Sequence, residues 1–166
     1  MDIIDHTLQW CKGEIFEGKL SLLFGVCVLI ISLAYFKWGS TPGARAMFIP
    51  LLIFALFVIG AGLYLVNTNQ KRIPRYEIQY IENPQQFIKN EKKRTAEFIK
   101  WYPITQKIFF VVMILGMLCL LLSNAPNIRA IGIALMLLSI YVFVLDHFSE
   151  ESATFYYSKI VELSPN

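Results

Sequence analysis

The sequence contains too few charged residues for a soluble protein of its length. Only 16% of its 166 residues are Asp, Glu, Lys or Arg, whereas soluble domains carry about a quarter. Hydrophobic residues make up 56% of the chain, and the mean hydropathy is +0.53. The charge deficit is concentrated in four apolar runs, residues 20–36, 46–66, 108–122 and 130–145. This concentration is typical of membrane-spanning helices and excludes an ordinary soluble fold.

Cysteine is also scarce, and its spacing excludes two kinds of stabilising site. Cys11, Cys27 and Cys119 form no CxxC pair, and two of them lie inside apolar runs. We therefore expect packing roles rather than a disulfide framework or a zinc cluster.

The first residues include Asp2 and Asp5 instead of the basic segment of a signal peptide. We expect the first apolar run to be retained as a span.

Catalytic motifs are missing as well. The sequence contains no HExxH, no glycine-rich phosphate loop and no GxSxG, which are the local signatures of several large enzyme classes. The four apolar runs contain no ionisable Asp, Glu, Lys, Arg or His. Ion-coupled transporters and intramembrane enzymes carry such residues at membrane depth. An uncharged oligomeric pore lined by Ser21, Ser32 and Ser139 stays open.

The lengths of the runs and their connections predict the fold class. The runs have 17, 21, 15 and 16 residues, and a bilayer core of about 30 Å needs about 20. Trp101, Tyr102 and Lys107 before the third run, and Arg129 before the fourth, extend the short runs as interfacial anchors. A re-entrant hairpin for the last two runs is the alternative.

The connections between runs one and two and between runs three and four predict tight turns. Residues 39–43 and 123–127 are rich in Gly, Pro, Ser and Asn, which end helices and favour turns. We therefore predict an all-α integral membrane protein of one domain, residues 1–166. Its four transmembrane helices are expected to form two antiparallel hairpins in an up-down-up-down bundle with amphipathic cytoplasmic helices.

The distribution of basic residues predicts the orientation. Twelve of the fifteen Lys and Arg residues lie in the N-terminus, the central loop and the C-terminus, which share one side, and three lie in the two turns. Cytoplasmic segments carry the excess of basic residues. We expect both termini and the central loop in the cytoplasm, and the absence of organellar signals favours the inner membrane of a bacterium.

Three polar segments are expected on the cytoplasmic side: an interfacial helix over residues 1–19, an amphipathic loop over residues 67–107 and a tail over residues 146–166. Within the loop, Asn83-Pro84 is typical of a helix start. Side chains of this loop are predicted to lie at the membrane surface, where they meet lipid headgroups rather than nucleic acid. They are Lys92, Lys93, Arg94, Trp101 and Tyr102.

The charge balance predicts that these segments dock on one another. The central loop has a net charge of +5, and the two termini together have −5. Exposed ion pairs contribute only about 0–1 kcal/mol each, so apolar side chains must supply most of the stabilisation. The expected apolar contacts come from Ile4, Leu8, Phe87, Phe98, Tyr156 and Ile160.

One set of residues has metal-ligand chemistry. His147 and Glu150 are three residues apart and share a face if the fourth span continues as a helix. His6 and Glu91 lie on the same side of the membrane, so the four side chains form a hypothetical metal or acid/base site. The simpler interpretation is that a helix leaving the membrane acquires charged residues at its boundary, and no cofactor is expected.

Three function classes follow. The favoured one is a non-catalytic accessory or partner-binding membrane protein, whose partners are lipids and either another protein or a second copy. The second is a homo-oligomeric channel or small transporter. The third is a membrane enzyme that uses the inner-face His and Glu residues.

The predicted orientation is testable with an impermeant thiol reagent applied to intact cells. Cysteines introduced by Ser40→Cys or Asn124→Cys should be labelled, because both positions lie in turns outside the cell. The native Cys11 should be spared. Labelling of Cys11 from outside would overturn the orientation.

Overall fold

The computed structural model describes residues 2–163, and this part of the chain is helical with no strand. Six helices follow one another with short connections. Their bounds are α1 Ile3–Trp38, α2 Pro42–Ala46, α3 Phe48–Glu82, α4 Pro84–Ile99, α5 Tyr102–Leu122 and α6 Pro126–Leu163.

Four helical segments are long and apolar enough to cross a membrane: Ile3–Trp38, Pro42–Glu82, Pro84–Leu122 and Pro126–Leu163. Each contains one of the apolar runs. The prediction of an all-helical protein with four such segments is therefore confirmed.

The helices extend well beyond the apolar runs. The predicted interfacial helix over residues 1–19 is continuous with the first apolar run, because α1 is one unbroken helix of 36 residues. The predicted loop over residues 67–107 is itself mostly helical, since α3 continues through Pro74 as far as Glu82. At 1.5 Å per residue, α1 is about 54 Å long, and a bilayer core measures about 30 Å. Helix α1 is therefore longer than a bilayer core is thick.

The short connections contain the expected capping residues. The side chain of Thr41 accepts a hydrogen bond from the backbone N–H of Ala44 at 3.1 Å, and α2 begins at Pro42. The side chain of Asn83 accepts from the N–H of Gln86 at 3.0 Å, ahead of Pro84. Capping by Asn followed by Pro satisfies a free N–H and presets the first helical φ. The predicted helix start at Asn83-Pro84 is confirmed.

Glycine allows α1 and α3 to approach closely. A Cβ atom on Gly62 would lie 2.8 Å from the backbone oxygen of Gly18, so no larger residue fits without a shift. The pair α5 and α6 uses the same device, because a Cβ on Gly132 would lie 2.6 Å from the backbone oxygen of Gly116. Close backbone contact of this kind is a main source of helix association in lipid.

Fewer contacts join these two helix pairs to each other within the apolar region. The Tyr141 hydroxyl of α6 donates a hydrogen bond to Ser21 Oγ of α1 at 2.8 Å. The Tyr141 ring stacks on Phe24 with centroids 5.4 Å apart and meets Phe54 of α3 edge-on. Helix α6 is thus the element that holds the second pair against the first.

We expect Gly62→Ala to lower the free energy of unfolding by roughly 1–3 kcal/mol, the usual effect of forcing an extra methyl group into a packed interface. The matched control is Gly60→Ala on the same helix, where an added Cβ meets nothing within 4 Å. That control should be neutral or slightly stabilising, because Ala favours helix more than Gly does. Thermal unfolding of the two variants in detergent measures the difference. Equal melting temperatures would contradict the packing role of Gly62.

Candidate functional site

A compact cluster of buried side chains lies where the N-terminal part of α1, the C-terminal parts of α3 and α6, and α4 meet. We call it the end cluster. Its apolar and aromatic members are Ile3, Trp10, Cys11, Tyr76, Phe87, Tyr156 and Ile160.

A partly buried ion pair within α4 closes one side of the end cluster. Arg94 Nε and one terminal guanidinium nitrogen donate to the two carboxylate oxygens of Glu91 at 2.9 and 2.6 Å. Only 4% of Glu91 is exposed. The guanidinium carbon also lies 4.7 Å from the ring centroid of Trp10 and 5.9 Å from that of Tyr76. A bidentate bond combined with cation–π contacts compensates for part of the cost of burying both charges.

Tyr156 joins three helices through its hydroxyl and its ring. The hydroxyl donates to Glu91 Oε2 at 3.1 Å and shares a hydrogen bond with Thr7 Oγ1 at 2.8 Å. The ring stacks on Trp10 with centroids 5.2 Å apart and planes 4° from parallel. Burial raises the pKa of Tyr156, so the phenol remains a hydrogen-bond donor at neutral pH. Helices α1, α4 and α6 are thereby tied at one residue.

A second buried network joins α1, α5 and α6 next to the end cluster. Ser149 Oγ donates to Glu14 Oε1 at 3.3 Å and is bonded to the Tyr102 hydroxyl at 2.9 Å. Burial raises the pKa of Glu14, an effect that exceeds the opposing influence of the Ser149 hydrogen bond. Desolvation of the carboxyl group also outweighs the favourable charges of Arg72 and Arg94.

The four residues of the hypothetical metal site lie in different surroundings. Glu91 is bonded to its ion-pair partner in the end cluster, and Glu150 Oε2 accepts a hydrogen bond from Gln106 at 3.0 Å. His6 borders a groove between α1 and α6, and His147 borders one between α5 and α6. Within residues 2–163, no three His, Cys, Asp or Glu side chains are arranged to hold a metal ion.

The residues predicted for the membrane surface fall into two groups that differ in burial. Lys93 and Trp101 are exposed, and Lys92 is half-buried. Arg94 instead turns inward to its ion pair, and Tyr102 is buried with its hydroxyl on Ser149. These two side chains hold helices together.

The three segments expected to dock are in contact. Trp10 of α1 contacts Phe98 of α4 and Tyr156 of α6, while Phe87 and Ile160 are buried in the end cluster. Opposite charges were expected to attract one segment to another. Each of the two ion pairs found among residues 2–163 instead lies within a single helix, one in α4 and one in α6. Apolar contact and the Tyr156 hydrogen bonds join the segments.

Sequence reasoning missed the residues that complete these networks: Thr7, Glu14 and Ser149. Thr7 and Glu14 lie 149 and 135 positions from their bonding partners, and single residues carry no pattern that pairs them across such distances. A local signal was present only for Glu91 and Arg94, whose spacing of three places both on one helical face.

Comparison with known proteins gives no relative for this chain. No protein-family model matches it, and neither a curated protein nor a solved structure matches it. The geometry described above is therefore the basis for any functional proposal.

The burial of Cys11 affects how the orientation is measured. None of the Cys11 side chain is exposed, and burial raises its pKa to about 11. A thiol reagent reacts with the thiolate, so Cys11 is protected on either side of the membrane. An exposed reporter on the side that is expected to face the cytoplasm, such as Lys93→Cys, is needed beside the two turn positions.

We expect Tyr156→Phe to lower the free energy of unfolding by about 1–3 kcal/mol, because a buried hydrogen bond to the charged Glu91 carboxylate is lost while Glu91 Oε2 keeps its bond from Arg94. The matched control is Tyr157→Phe, which changes the neighbouring tyrosine that lies outside the end cluster. Denaturation followed by tryptophan fluorescence suits this comparison, since Trp10 stacks on residue 156. An unfolding midpoint for Tyr156→Phe equal to that of the control would refute the bridging role.

Proposed function

We propose that this chain is a non-catalytic membrane protein of the bacterial inner membrane that works by binding another membrane protein. In this proposal α1 pairs with α3 and α5 with α6 as two antiparallel hairpins. Both termini and α4 lie on the cytoplasmic side.

The observation that carries the proposal is the way the buried polar groups are used. Glu91 and Arg94 bond to each other within α4, and Tyr156 of α6 bonds to Glu91 of α4 and to Thr7 of α1, so that the Tyr156 bonds join three helices. A catalytic acid or base needs a free position where a substrate atom can approach within hydrogen-bond distance. The end cluster offers packed aromatic rings at that place, so its chemistry serves structure.

The polar groups inside the apolar runs argue against a pore within one copy. Ser139 Oγ donates to the backbone oxygen of Leu135, and Ser32 Oγ donates to that of Phe48. Ser21 donates to the oxygen of Glu17. These hydroxyls satisfy backbone carbonyls and face other helices, whereas a selective pore needs polar groups directed into a water-filled path.

The third candidate span favours a partner in the membrane. Only 6% of its most apolar stretch is buried inside the chain, compared with 22% to 28% for the other three. Helices in lipid associate by close packing and interhelical hydrogen bonds. A span that packs chiefly against α6 leaves most of its surface available for another helix.

The orientation is supported by the exposed face of α4. Lys89 and Lys93 are exposed there, and Lys100, which follows the last residue of α4, is exposed as well. Basic side chains next to a span are attracted to anionic headgroups of the cytoplasmic leaflet by about 1 kcal/mol each. This face therefore suits contact with lipid, and it accounts for basic residues that the fold itself leaves unused.

The test is isolation of the chain from native membranes in a detergent-free polymer, followed by mass analysis of the intact particle. The expected result is a second membrane protein in fixed stoichiometry that survives reconstitution with purified components. A matched preparation from cells that express Gly62→Ala at equal level reports whether binding needs the folded chain.

Two results would reject the proposal. A particle that contains only this chain and conducts ions in vesicles supports the channel alternative. A particle that contains only this chain, and whose activity depends on His147 and on bound metal, supports the enzyme alternative.

A further inference from the structure

An apolar groove runs between α1 and α6 on the lipid-facing surface. Its volume is about 650 Å³. Large hydrophobic and aromatic side chains make up most of the lining. The main contributors are Phe16, Leu20, Phe24, Leu137, Tyr141 and Phe148.

One charged residue lines this groove, and it has no ion-pair partner. Glu17 lies three residues before the first apolar run and is half-buried, and it takes part in neither of the two ion pairs found among residues 2–163. One of its carboxylate oxygens, Oε2, is buried, which leaves the exposed part of the carboxyl group for contact with a second molecule. A cation placed against this carboxyl group would favour its ionised form and gain a strong hydrogen bond.

The depth of Glu17 can be compared with that of basic residues on the other helices. Ser149 bonds to both Glu14 and Tyr102, which places these two residues at one level. Glu17 lies three residues further along α1, about 4.5 Å deeper, and Lys107 lies five residues further along α5, about 7.5 Å deeper. The two charged groups differ in depth by about 3 Å, which a flexible lysine side chain spans.

Lys107 is available for such a contact. It is exposed, and it takes part in neither of the two ion pairs found among residues 2–163. The part of α5 that follows Lys107 has exposed apolar side chains along its length. These include Ile108, Val111, Leu115, Leu118 and Leu122.

We propose that α5 of one copy of this chain docks in the α1–α6 groove of a second copy, with Lys107 of the docked helix paired to Glu17. The inference rests on the membrane topology proposed above, because copies inserted with one topology share orientation and depth. A heterologous contact of this kind uses a different surface on each copy, so it builds a ring or an open chain. The paired charges set the register, and the apolar side chains supply the packing.

A charge exchange tests the pairing directly. Copies labelled with donor and acceptor dyes are reconstituted at high dilution in vesicles of phosphatidylethanolamine and phosphatidylglycerol, and energy transfer reports association. Glu17→Lys alone and Lys107→Glu alone should each weaken association at least tenfold, which corresponds to about 1.4 kcal/mol. The double variant should restore it, because the exchanged charges attract again. Lys93→Glu, an exposed change on α4, is the control for net charge.

Cysteine crosslinking tests the location. Leu20 and Ile108 each lie six residues beyond the Ser149 level and are 56% and 54% exposed. With the native cysteines replaced, a copy carrying Leu20→Cys should crosslink to a separately tagged copy carrying Ile108→Cys. Tyr64 is the matched control: it is 71% exposed at similar depth on α3, outside the groove. Tyr64→Cys should give at least tenfold less product with Ile108→Cys.

Failure of the double variant to recover association overturns the proposal, as does equal crosslinking from positions 20 and 64. Absence of energy transfer in the parent protein also overturns it and indicates that lipid occupies the groove. None of these results bears on whether a different membrane protein co-purifies, so failure here is distinguishable from failure of the proposed function.

Discussion

An apolar helix surrounded by lipid gains little free energy when contact with lipid is replaced by contact with another apolar helix, because the lipid tails are as apolar as the helix. Association within the membrane therefore depends on features that lipid cannot imitate, such as close backbone approach and interhelical hydrogen bonds. Gly18 against Gly62, and Gly116 against Gly132, provide the first. Tyr141 bonded to Ser21 provides the second. The strong contacts inside each pair and the weaker contacts between pairs follow from where these residues occur.

The end cluster is built from residues that lie outside the four apolar runs. Trp10 and Tyr156 bury large rings together, which stabilises the fold in proportion to the apolar area removed from water. The Glu91–Arg94 pair adds less net energy than its short distances suggest, because both charges lose hydration on burial. The pair contributes mainly to geometry. Because a buried carboxylate is costly to leave without hydrogen-bond donors, Glu91 fixes the positions of Arg94 and Tyr156 around it.

The sequence predicts those parts of the fold that depend on local or averaged properties. Long uncharged runs identify the spans, and Asn83-Pro84 identifies a helix start, because each is determined by neighbouring residues. The continuation of α3 through Pro74 was not predictable, since a proline favours a helix break unless other contacts hold the helix. Here Tyr76, two residues after Pro74, is buried in the end cluster. The bonds from Thr7 and Glu91 to Tyr156 depend on tertiary positions that no local pattern encodes.

The same distinction decides which residues are informative about function. His147 and Glu150 attract attention by their chemical type, yet the fold directs His147 to a groove and pairs Glu150 with Gln106. Glu17 is inconspicuous in the sequence, where it resembles any acidic residue before a span. Its significance comes from an apolar surrounding that leaves one oxygen without a donor. A half-buried carboxyl group that borders an open apolar groove and has no ion-pair partner among residues 2–163 is a place where a cation of a second molecule has most to contribute.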